Sequence, residues 1–143
     1  MCLYPTTNSA KVADHDIICY KVVQVDIGDK MMHSNHDWDH VYELGKTYRE
    51  NRFKKKIRYE VTHLTYGFHS YMKISRAQNN AIKLNHCSWA TSDGHHVIIK
   101  CVIPKGARYY EGCSGETAAI GEYCSNRIKV VAWRTMYGRW HTK

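Results

Sequence analysis

Val97-Ile-Ile-Lys-Cys-Val-Ile-Pro-Lys-Gly106 is the stretch that decides the fold. Val97 to Ile103 is rich in β-branched side chains, which suit a pleated, half-buried surface and predict a buried strand. Pro104 has no N–H to give to a ladder, and Lys105-Gly106 supplies a tight turn in which glycine takes positive φ at low cost. Upstream, Asp16 to Val25 predicts a second strand, with Ile17, Cys19, Val23 and Val25 on one face and Ile18, Tyr20 and Val22 on the other. Two apolar faces mark a central strand. Val41 to Leu44, running into Gly45-Lys46, predicts a short strand before a turn, Tyr59 to Thr65 alternates weakly, and Arg127 to Trp133 predicts a last strand.

The clearest helix spans Ser75 to Leu84, with Ser75 as its N-cap, Ala77, Ala81, Ile82 and Leu84 at helical spacing, and Asn85 as its C-cap. Residues 1–15 are polar and lack period, and predict a flexible arm. Tyr109 to Cys124 is rich in Gly and Ser and predicts a long ordered loop, a kind of segment that often carries function. Residues 134–143 form a basic, aromatic tail. No internal repeat or linker divides the chain. The expectation is therefore one compact α+β domain over residues 16–133, a bent antiparallel-rich sheet with one main helix over about residues 75–84.

At 143 residues the chain buries a conventional core without staples. Its formal charge of +8, from 21 Lys and Arg against 13 Asp and Glu, points to anionic partners and says nothing of fold. The six cysteines, at positions 2, 19, 87, 101, 113 and 124, show neither a CxxC pair nor zinc-ribbon spacing. Cys19 and Cys101 sit inside apolar strand patterns, where a thiol behaves as a small hydrophobe. No apolar run follows the N-terminus and none approaches membrane-spanning length, so a cytoplasmic protein with reduced thiols and no membrane partner is expected.

Several clusters could carry chemistry. His33, His36 and His40, interleaved with Asp37 and Asp39, gather ligand types that suit zinc, and polar loops also accumulate these residues for turn chemistry. Cys87 follows His86, but sequence neighbours rarely aim their reactive atoms at one another. No P-loop, GxGxxG or HExxH is present, and no cofactor is expected. The densest basic run, Arg49 to Arg58, offers Arg52, Lys54, Lys55, Lys56 and Arg58 for anion binding. Arg134, Arg139 and Lys143, beside Trp133, Tyr137 and Trp140, add charge and rings for base stacking. The bland alternatives are a solvated edge, where lysine also blocks edge-to-edge pairing, and a tail packed on the domain by its aromatics.

The ordered set ICYKVV, YELGKTY, GFHSY before a helix, VIIKCVIPKGARYYEG and SNRIKVV resembles a family of small uncharacterised proteins found in bacteriophages and gut bacteria, over roughly residues 16–131. A more distant likeness is to the ADP-ribosyltransferase fold. Tyr20-Lys21 stands at its first-strand position, Ser70-Tyr71-Met72 at its middle strand, and Arg127-Ile128-Lys129 near its late Glu-x-Glu turn. Ser70 matches a functional position outright. The glutamate that would stabilise an oxocarbenium-like transition state is replaced by cations, with Glu122 as the nearest substitute.

The resemblances imply a soluble phage-type accessory protein in the host cytoplasm. The expected work is non-catalytic binding of an anionic ligand or a host protein, nucleic acid among the candidates. The alternatives are an enzyme on an ADP-ribosyltransferase-like scaffold, using Lys21, Ser70 and Glu122, and a structural virion component.

Overall fold

The computed structural model describes residues 3–26, 31–34, 40–58, 61–64, 66–86, 94–114 and 120–143. The strands, in chain order, are β1 (Tyr4–Pro5), β2 (Lys11–Val12), β3 (Ile17–Asp26), β4 (Met32–Ser34), β5 (Val41–Tyr42), β6 (Thr47–Arg49), β7 (Lys56–Arg58), β8 (Val61–His63), β9 (Phe68–Tyr71), β10 (Gly94–Ile103), β11 (Arg108–Cys113), β12 (Glu122–Ser125) and β13 (Arg127–Arg134). One helix, α1 (Ile74–His86), lies between β9 and β10.

Eleven strands form a single antiparallel sheet along the path β1-β11-β12-β9-β3-β10-β13-β6, with β2 on β11, β4 on β3, and β5 on β4. The two long apolar strands sit at its centre, as their two-faced patterns require. β3 and β10 pair along their full length, from Ile17 opposite Ile103 to Asp26 opposite Gly94. The other edge of β3 is shared, with β9 meeting it at Tyr20 and β4 at Val23 to Val25.

Side-chain alternation sorts this sheet into two faces. On the core face, Val23, Ile99, Ile128, Tyr42 and Phe68 are buried in one cluster, with Tyr109 and Tyr123 packed against it. Those residues come from strands at both ends of the path, so the sheet curls over and closes its own core. On the outer face, α1 buries Ala77 and Ala81 against Val22 and Ile98. Its period is as expected, although it begins at Ile74 and so takes Ser75 into its first turn. Asn85 clips its C-terminal end to β10, where its side-chain Oδ1 accepts a 2.9 Å hydrogen bond from the His96 N–H.

The α+β assignment is therefore corrected: the protein is mostly sheet, all-β-like, with one short helix among the described residues. The helix covers a patch, while the core is sheet on sheet. Two segments account for the extra strands. Tyr109 to Cys124, expected as a loop, contributes β11 and β12, which pair from Tyr109 opposite Ser125 to Gly112 opposite Glu122. Within residues 1–15, expected as an arm, β1 and β2 both pair with β11, and Leu3 and Ala13 are buried. Gly112 permits the first pairing, because a Cβ there would collide with the Tyr4 carbonyl. Gly106 makes the turn expected after Pro104, at φ 85°.

The alternation generates a stability test. Ile99→Ala, on the core face, should cost about 2–5 kcal/mol, the usual loss for truncating a fully buried aliphatic side chain. Ile18→Ala, on the outer face and 53 % exposed, should cost under about 0.5 kcal/mol. Urea unfolding of the two variants measures both, and equal losses would contradict this assignment of faces.

Candidate anion-binding face

The enzyme-like residues are not brought together. Lys21 and Ser70 lie on the core face, since Lys21 shares the face of Cys19 and Val23, two residues to either side, and Ser70 points away from its neighbour Tyr71, which stands opposite the outward Tyr20. Glu122 stands opposite Tyr71 and so projects from the outer face. Lys21 Nζ donates to the His69 carbonyl and lies 5.6 Å from the Tyr42 ring centroid. Burial pushes the Tyr42 phenol up, and the neighbouring Lys21 ammonium offsets part of that. The Ser70 oxygen is buried beside the Cys19 thiol. A serine nucleophile needs a base within reach, and no basic side chain is bonded to it among the described residues. Burial also pushes the Cys19 thiol up to about 11, with Ser70 and Lys21 opposing, so Cys19 stays a thiol at neutral pH.

Glu122 has a structural task. The residue is 3 % exposed, and its carboxylate accepts a 2.6 Å hydrogen bond from the Ser114 N–H just beyond β11. Burial raises the Tyr71 phenol to about 12, the Glu122 charge adds to that, and Arg76 opposes it. The Arg76 guanidinium lies against Gly121, where a Cβ would strike it.

Of the histidine cluster, His36 lies outside the described residues, as do Asp37 and Asp39. His33 is buried on β4 between Gln24 and Val41. The His40 ring packs on Tyr42 at 4.5 Å and on Tyr48 at 5.0 Å. Among the described residues no three His, Cys, Asp or Glu side chains gather as metal ligands. Cys19, Cys101, Cys113 and Cys124 are free, and Cys2 and Cys87 lie outside the described residues. No helix among the described residues is long and apolar enough to cross a membrane.

The basic run is largely engaged. The Glu50 carboxylate accepts two hydrogen bonds from the Arg52 guanidinium, at 2.9 and 3.1 Å, and a third from the Arg52 backbone N–H, at 2.9 Å, which hold its carboxyl below the usual range. Arg52 also stacks on Tyr66 at 4.2 Å. Lys55 donates to the Asn8 carbonyl and lies over Tyr110. Lys54 is exposed, and the side chains of Lys56 and Arg58 lie outside those described.

A second cationic group emerges from the register. On the outer face, beyond the part covered by α1, Lys129 stands opposite both Thr47 and Val102, Arg127 opposite Arg49, and Lys100 opposite Ala132. A bulge between Lys100 and Cys101 resets the parity of β13, which places Arg134 on this face too. Arg49, Lys100, Arg127, Lys129 and Arg134 thus share one surface. None of the five is in an ion pair among the described residues. The tail folds onto the end of this surface: Trp133 and His141 exchange backbone hydrogen bonds of 2.9 and 2.8 Å, and Trp140 then stacks near Tyr20 at 6.2 Å. Lys100 and Arg134 each lie 4.9 Å from the Trp140 ring centroid.

Arg49 and Arg134 belong to the basic segments seen in the sequence, whereas Lys100, Arg127 and Lys129 were missed as a binding group. Their signal is alternation, cations at 127 and 129 against apolar residues at 128 and 130, with Lys100 between Ile99 and Cys101. At the other end of the core face a cavity of about 340 Å³ is lined by Val25, Met32, Leu44, His95 and Trp133. No family model, curated protein or solved structure matches this chain.

The buried acids set a pH limit. Cys19 at about 11, and Cys124 and Tyr71 at about 12, each stand above ordinary values of 9.0, 9.0 and 10.0, because the fold favours their neutral forms. That stability is complete below pH 9 and is lost as pH rises from about 9 towards 12. The urea midpoint should therefore fall steadily over that window. At pH 8, iodoacetamide should label the partly exposed Cys113 well before Cys19, Cys101 or Cys124, as read by peptide mass mapping.

Proposed function

We propose that this protein binds a polyanion, without catalysis, on the outer face of its sheet. The observation that carries the reading is the unneutralised cluster of Arg49, Lys100, Arg127, Lys129 and Arg134 on one surface. Like charges directly opposite one another across a ladder are destabilising, and Arg127 faces Arg49 in this way. An anion between them would remove that repulsion and replace it with charge-assisted hydrogen bonds. Around the cluster, the outward positions 18, 20, 47, 49, 100, 102, 127, 129, 132 and 134 include no acidic residue, while Asp26 and Glu122 stand elsewhere on the outer face. This part of the face presents positive charge, which steers anionic partners.

Support for an enzyme is weaker. Its three candidate residues are divided between two faces, and the core-face group lacks a base bonded to Ser70.

Heparin-column elution tests the placement without presuming the natural ligand. Changing Lys100, Arg127 and Lys129 to Ser should lower the eluting salt concentration much more than changing Lys11, Lys54 and Lys73 to Ser, which removes the same charge elsewhere. The melting temperatures of both variants should stay near that of the parent, because surface substitutions usually cost under about 0.5 kcal/mol. Equal elution shifts would show that net charge alone acts, and would refute a dedicated face.

A further inference from the structure

We infer that the polyanion is a single-stranded nucleic acid, lying along β13 with its phosphates on the cations and a base stacked at the C-terminal hairpin. This rests on the polyanion reading above and adds the class of ligand.

The first observation is linear arrangement. Arg127, Lys129 and Arg134 follow one strand, and Arg49 and Lys100 flank it on its two neighbours. At about 3.3 Å per residue, Arg127 to Arg134 spans roughly 20 Å. That is a track, suited to an extended chain of phosphates rather than to a single anionic group. Single-strand-binding modules occupy upwards of about 4 nucleotides on comparable grooves.

The second observation is the rings at one end of the track. The turn from Thr135 to Gly138 is closed by a 3.3 Å hydrogen bond and leaves the Tyr137 side chain in solvent, the residue being 83 % exposed. Three residues on, Trp140 is partly exposed, with Lys100 and Arg134 at its ring. A phosphate held by those cations brings its own base to these rings. Stacking on an aromatic ring is open to every base, and only an unpaired base offers both of its faces.

The third observation is an unpaired guanidinium. Arg134 is partly exposed and makes no ion pair among the described residues, and with its Nε enclosed a phosphate oxygen would meet it through the terminal nitrogens, as an acceptor of the matching charge. The surface type also argues against a duplex, whose major groove, about 12 Å wide, is read by an inserted helix or two-stranded ribbon. The positions on this track belong to a sheet surface that projects neither.

The test uses the full chain with fluorescein-labelled oligo(dT) of twelve nucleotides, a twelve-base-pair duplex and heparin, each across a salt series by anisotropy. Oligo(dT) is expected to bind more tightly than the duplex. Tyr137→Ala or Trp140→Ala should weaken the oligo(dT) complex by roughly five- to a hundredfold, the worth of one stacked base, while heparin affinity holds. Tyr137→Ala removes an exposed ring, so its fold is retained and its result stands even if Trp140→Ala disturbs the hairpin. Arg127→Ser with Lys129→Ser should flatten the oligo(dT) salt slope by about 1.4, at about 0.7 for each phosphate left without its cation. Heparin binding that depends on Lys100, Arg127 and Lys129, together with duplex affinity equal to or above oligo(dT), or with ring variants that both bind like the parent, would overturn this inference and leave the polyanion face intact. Failure to bind any of the three probes would overturn both.

Discussion

The ten-residue ladder between β3 and β10 is the constraint on which the rest depends. Both strands carry apolar side chains in both directions, so each needs cover on two sides. The sheet meets the demand asymmetrically. On one side it curls until residues of β5, β9, β11 and β12 pack over Val23, Val97 and Ile99. On the other, a helix of thirteen residues and the folded-back tail cover Val22, Ile98 and Tyr20, and the cover stops there. Ile18 and Val102, opposite each other at the far end of the ladder, remain in solvent or partly so. The exposed cationic surface exists because the helix is too short to cover the whole outer face.

The same ladder sets the state of the polar groups in the interior. Cys19 and Cys101 stand directly opposite one another, fully buried, and desolvation holds both thiols protonated. Lys21 is the one cation on the core side of β3. It is tolerated because its ammonium donates to the His69 carbonyl and lies near the Tyr42 ring, so its charge has partners inside the fold. These groups satisfy each other. The outer cations have no acidic partner among the described residues, although the Trp140 ring lies 4.9 Å from both Lys100 and Arg134.

How much of this was legible follows from where the alternation is strong. β3, β10 and β13 and the helix announce themselves, because seven or more residues of consistent period outweigh local exceptions. β11 and β12 look like loop in the sequence: Tyr-Tyr-Glu-Gly-Cys and Glu-Tyr-Cys-Ser have no clean alternation, and their burial comes from partners that are distant in sequence. The α+β expectation fails for that reason, since strands hidden in Gly-rich sequence make a sheet-dominated chain look balanced. At the site level, Lys21, Ser70 and Glu122 each looked usable alone, and only the register of β9 against β3 and β12 separates them onto opposite faces. The run from Arg52 to Arg58 drew attention by its density. Density does not disclose that Glu50 and the Asn8 carbonyl already engage two of its cations.

The β-bulge at Lys100 and Cys101 shows why register had to be seen. In a strictly alternating β13, Arg127 and Lys129 would share a face with Val131 and Trp133, and Arg134 would point into the core with Ile128 and Val130. The extra residue in the strand reverses that order beyond Val130. Trp133 goes to the core side, where it packs at the margin of the main cluster, and Ala132 and Arg134 come outward. Arg134 thereby joins Lys129 and Arg127, and the chain leaving it is directed over the outer face, so that Trp140 reaches Lys100 and Tyr20. Without the bulge Arg134 would face the core and would not lie beside Trp140. One inserted residue therefore links the packing of Trp133 in the core to the composition of the surface on the other side.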